Sequence, residues 1–137
     1  MDMSSRRELA QLLASLRREG RQQSGLAPHL VPPDTATAYA VAQMVAEELG
    51  WEVAGWKIAA TGRKMQQALR TDVPIYGRVF APMIKSSPFS VAHETLCSPI
   101  PEVEYQARLG GDLPARDKAY SVEEVTDAVA TLHPGLE

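Results

Sequence analysis

Between residues 5 and 19 leucine returns at Leu9, Leu12, Leu13 and Leu16, a spacing of three and four that predicts an amphipathic helix ending at Gly20. A second helical stripe runs through Ala38, Val41, Val45 and Leu49, opened by Asp34 as a cap and stopped by Gly50. The first fifty residues therefore read as a helical hairpin, and the pattern changes after them. Trp51 to Ala60 is a mostly apolar strand interrupted by one charge, Lys57. Thr61 or Gly62 opens a short helix that puts Met65, Ala68 and Leu69 on one side, where they are expected to seal a core. A short strand entered through Pro74 follows at Ile75 to Phe80, and Pro82, Pro88 and Pro99 mark 81–100 as a surface connection or edge strands.

The clearest alternation lies at Pro101 to Leu109. Odd positions are Pro, Val, Tyr, Ala and Leu, and even positions are Glu, Glu, Gln and Arg, the signature of a half-buried strand. Leu109-Gly110-Gly111-Asp112-Leu113-Pro114 then gives a turn. Ser121 and Glu124 have the spacing of a capping box, and Val122, Val125, Val129 and Leu132 line one face of a predicted helix that His133-Pro134-Gly135 terminates. The fold class is α+β. No internal repeat or linker separates domains, and the division expected is a helical region at 1–50 followed by a sheet-forming region at 51–137.

This alternation sends Glu102 and Glu104 to the same side of their strand. Two carboxylates at that spacing repel unless water, a base or a cation lies between them, and hard divalent ions such as Mg2+ and Mn2+ prefer carboxylate oxygens. A solvated acidic face is the plainer alternative. Lys57, between Trp56 and Ile58, has two readings as well: its stem reaches water along a strand edge, or burial and nearby acids tune its ammonium for chemistry.

Composition narrows the classes. The chain has 137 residues, 14 Lys and Arg against 17 Asp and Glu, and a net charge of -3, so no nucleic-acid footprint is indicated and a small molecule is the expected partner. The arginines Arg6, Arg7, Arg17, Arg18 and Arg21 are read as a solvated outer face of the first helix. The single cysteine, Cys97, fits a reducing cytoplasm, and no apolar run is long enough to span a membrane. His29, His93 and His133 stand far apart without zinc-ligand spacing, and Walker A, dinucleotide and nucleophile-elbow motifs are all missing.

Five segments, in order, carry a resemblance: Gly55-Trp56-Lys57-Ile58-Ala59-Ala60-Thr61; Met65-Gln66; Pro74-Ile75-Tyr76-Gly77-Arg78-Val79-Phe80; Pro101-Glu102-Val103-Glu104 with Leu109-Gly110-Gly111-Asp112-Leu113-Pro114; and His133-Pro134-Gly135-Leu136-Glu137. The chain resembles the amino-terminal half of the 2-keto-4-pentenoate hydratases, a branch of the fumarylacetoacetate hydrolase superfamily. The resemblance implies an incomplete mixed β-roll after the helical hairpin. It further implies Mg2+ or Mn2+ held by Glu102, Glu104 and a third acid after the last helix, Glu137, with Lys57 as the active-site lysine.

The function implied is addition of water to a 2-hydroxy-2,4-dienoate to give a 4-hydroxy-2-keto acid in aromatic catabolism. Ile75 departs from the family pattern, where an acid often precedes the aromatic-glycine pair, and so does Ile100, near which members carry an arginine. Sibling reactions, decarboxylation of oxalocrotonate-type acids or cleavage of acylpyruvates, are therefore kept as alternatives. A different class is a truncated, non-catalytic assembly module. Since the resemblance covers only half of the family's fold, exposed strands are expected to seek a second copy or a complementing chain.

Overall fold

In the computed structural model, which describes residues 1–137, helix α1 spans Met3–Glu19 and α2 spans Thr35–Leu49. Both ends of each helix are specified by the chain itself. The Asp2 carboxylate accepts the Ser5 N–H at 2.8 Å and the Asp34 carboxylate accepts that of Thr37 at 2.7 Å, satisfying amides that a helix start leaves without partners. Gly20 and Gly50 close the helices in the left-handed conformation, at φ 61° and 62°.

The α1 stripe is shifted from the leucine pattern. Leu9, Ala10 and Ala14 are its buried residues, whereas Leu13 is 37% exposed. Leu9 and Ala10 meet Leu30 and Val41 in one cluster, and Ala14 meets Leu49 and Phe80 in another. Alanine at the contact removes bulk and lets α2 pack close.

Phe80 ends a two-stranded antiparallel sheet formed by β1, Val53–Ala59, and β2, Ile75–Phe80. Its ring meets Trp51 edge to face at 5.8 Å, so the sheet is anchored to the helical hairpin through its last residue. A second anchor is Tyr39 of α2, which stacks on Tyr76 of β2 at 4.4 Å and whose hydroxyl accepts the Tyr76 N–H. Helix α3, Arg63–Leu69, joins β1 to β2 and is tied down by Gln66, whose amide donates to the Ala60 carbonyl. It does not seal a core: Met65 and Leu69 are 53% and 51% exposed. Residues 81–100 form a connection with short 3-10 turns and no strand.

The chain divides into two compact units, Met1–Cys97 and Ser98–Glu137. The second contains β3, Val103–Leu109, then α4, Val122–Ala128, then β4, Val129–Leu136. The capping box at the start of α4 is present: Ser121 Oγ accepts the Glu124 N–H and Glu124 Oε2 accepts the Ser121 N–H. The helix does not continue through Val129 and Leu132 as expected from their spacing. It gives way to a strand, because pairing with β3 places Leu132, Pro134 and Leu136 beside Ala107, Tyr105 and Val103 on one face.

Pro134 is tolerated there by register. Glu102 and Glu137 exchange both backbone hydrogen bonds, and counting by twos places Pro134 opposite Tyr105 at a position whose N–H would point away from the partner strand. The molecule is thus α+β, with four α-helices and two small antiparallel sheets. None of its helices is long and apolar enough to cross a membrane.

Candidate metal centre

The β3–β4 register assembles the acids. Glu102 donates its N–H to the Glu137 carbonyl at 2.7 Å and accepts the Glu137 N–H at 2.8 Å, so the two residues face each other directly. Glu104, two positions along, pairs with Gly135. Residues opposite one another in an antiparallel ladder share a face, and so do residues two apart in one strand. All three side chains therefore rise from the same surface, and one carboxylate oxygen from each lies within 4.8 Å of the others. Glu104 is half-buried, and Glu102 and Glu137 are exposed.

Hard oxygen donors in this number suit a hard divalent cation. A six-coordinate Mg2+ with ligands at about 2.1 Å holds neighbouring oxygens about 3 Å apart and opposite ones about 4.2 Å apart. The limit of 4.8 Å between the three oxygens is close to that range. Unit like charges about 5 Å apart repel by about 1 kcal/mol per pair in water, and a divalent ion between them replaces that repulsion by attraction.

The same face carries residues that spacing did not single out. Gln106 pairs with His133, and Arg108 with Thr131. The His133 ring nitrogen Nε2 lies 2.8 Å from Thr131 Oγ1, so this histidine is a strand residue and not the loop or helix-cap residue expected. A Cβ at Gly135 would collide with the Gln106 side chain, its carboxamide first. The Gln106 carboxamide therefore lies across the space that glycine leaves open, beside the position paired with Glu104. A signal for this was present: from Thr131 to Glu137 the apolar residues Leu132, Pro134 and Leu136 alternate with Thr, His, Gly and Glu.

The connection into β4 is held by charge. Arg116 donates to Glu124 Oε2 at 2.6 Å and its guanidinium lies 3.6 Å from the centre of the Tyr120 ring. That ion pair, and next the Ser121 backbone N–H, hold the Glu124 carboxyl below its ordinary value.

Lys57 belongs to the other unit. It stands in β1 opposite Gly77, half-buried, while its neighbours Trp56 and Ile58 on the other face are 53% and 51% exposed. The lysine is thus the more sheltered residue of the three, the reverse of what its flanking apolar residues suggest. Glycine opposite it leaves room for the stem to lie along the sheet. No family model matches the chain.

Proposed function

We propose that this chain carries the metal-binding element of a hydro-lyase acting on 2-keto acids of the 2-keto-4-pentenoate type. The observation that carries the reading is the meeting of Glu102, Glu104 and Glu137 on one face within 4.8 Å. The order of sequence motifs shared with the hydratases supports it. On this reading β3 and β4 are part of an incomplete mixed β-roll, and the substrate is a 2-hydroxy-2,4-dienoate hydrated to a 4-hydroxy-2-keto acid.

Glu102, Glu104 and Glu137 would hold one Mg2+ or Mn2+. When bound, the ion supplies a Lewis acid for the substrate carboxylate and the adjacent oxygen, favouring the enolate. The protein's part is to fix three oxygens on a paired ladder, two of them opposite each other through a reciprocal backbone bond. The same resemblance assigns Lys57 to proton transfer or to polarising the keto oxygen.

The ligand assignment is tested by calorimetric titration of Mg2+ or Mn2+ with oxalate, which presents two carboxylates in place of the keto acid. One site per chain is expected, weakened by about 100-fold or more in Glu102→Gln and Glu104→Gln. Absence of metal uptake by the intact chain would end the proposal.

A further inference from the structure

A groove of about 740 Å3 runs between the helical hairpin and the β1–β2 sheet, and its walls all belong to the first compact unit. That volume is in the range of small-molecule sites. The register says which side of the sheet it uses. Trp56 pairs with Arg78 and Ile58 with Tyr76 on one face, whereas Lys57 and Gly77 pair on the other, so the groove lies behind the sheet as seen from the lysine. On the helix side the space stays open because Ala38 and Ala42, one turn apart in α2, offer only methyl groups. The sheet side is aromatic: Trp56 meets Tyr76 edge to face at 5.6 Å, and the two rings are 53% and 49% exposed.

We propose that this groove binds a flat aromatic carboxylate. Its charge favours that occupant. No Asp or Glu lines it, in a chain whose net charge is -3. Two guanidinium groups rest on its rings instead: Arg78 lies 5.1 Å from the centre of the Trp56 ring and Arg17 lies 5.6 Å from that of Phe80. Arg21, also in the lining, is already paired with Glu19, whereas Arg78 donates only to the neutral Gln43 carboxamide and keeps further N–H donors. The ligand ring packs against Trp56 and Tyr76, and its carboxylate takes the donors of Arg78 with Arg17 beside it. An aliphatic acid gains no ring contact there, and a neutral aromatic leaves the guanidinium groups without a counter-charge. The site needs no metal and none of the residues assigned to the 2-keto acid reaction.

The test uses the full chain labelled with 5-fluorotryptophan, whose two fluorine signals, from Trp51 and Trp56, are assigned with Trp56→Phe. Titration with 1-naphthoate should move the Trp56 signal saturably. Neutral 1-naphthamide should bind about tenfold more weakly or worse, and so should naphthoate in Arg78→Gln. Should Arg78→Gln merely misfold, Ala42→Phe decides the matter, since it fills the groove from an exposed helix position and should abolish the shift while helical circular dichroism is unchanged. No saturable shift in the wild-type chain, equal binding of the amide, or a shift that survives Ala42→Phe overturns the proposal. Chelator and Glu102→Gln should leave naphthoate binding intact, which separates this result from that of the metal titration.

Discussion

Gly135 is where a single absent side chain shapes the acidic face. Any larger residue meets the Gln106 carboxamide, and since that carboxamide ends a flexible side chain it is the part that gives way. Gly135→Val should therefore displace Gln106 without unfolding the hairpin. The measurement is the Gln106 side-chain amide pair in a nitrogen-proton spectrum, expected to shift while helix amides in α1 and α2 stay in place. The caps give a second residue-scale expectation, with its sign fixed by pKa. The backbone and side-chain hydrogen bonds of Thr37 hold the Asp34 carboxyl below its ordinary value. A group lowered in the folded state stabilises above its unfolded pKa, and that contribution disappears as pH falls through the folded value. Helical ellipticity and melting temperature should fall together on acidification, and Asp34→Asn, which keeps a capping oxygen without the charge, should flatten the Asp34 part of that dependence.

At the scale of elements, the contact between α1 and α2 rests on alanine. Ala10 and Ala14 are both 0% exposed, and Ala14 touches Leu49 and Phe80. Ala14→Leu should overpack this contact at a cost of about 1–3 kcal/mol, read by denaturant unfolding followed through Trp51, while Leu13→Ala should cost much less. The leucine spacing located the helix but not its centre of burial, because periodicity weights large residues and close helix packing selects small ones. Caps were legible for the opposite reason: Asp34, Gly20, Gly50 and the Ser121–Glu124 box each act on a neighbouring turn, so local sequence suffices. β4 was read as helix although residues from Thr131 to Glu137 alternate, since Val122, Val125, Val129 and Leu132 have helical spacing and Pro134-Gly135 reads as a stop. What decided it was pairing with β3, a partner many residues away in sequence. That pairing also determines where Glu137 stands.

At the scale of the whole molecule, the two units differ in how they are stabilised. Met1–Cys97 has buried clusters joining the helical hairpin to the end of β2, whereas Ser98–Glu137 has a capping box, an ion pair, a reciprocal ladder and no buried side chain. Amide hydrogen exchange should accordingly be slowest in α1 and α2 and faster in β3 and β4. Alternation at 101–109 placed Glu102 and Glu104 on one face from sequence alone. Glu137 entered only by resemblance, and the antiparallel register supplies the physical reason that it faces Glu102. Those three glutamates are the centre of the account, and Mn2+ paramagnetic resonance addresses them most directly. Adding the intact chain to Mn2+ should remove the six-line signal of the free ion to a limit of one ion per chain, and Glu102→Gln, Glu104→Gln and Glu137→Gln should each restore it. A free-ion signal unchanged by the intact protein, or removed equally by all three variants, would contradict the account.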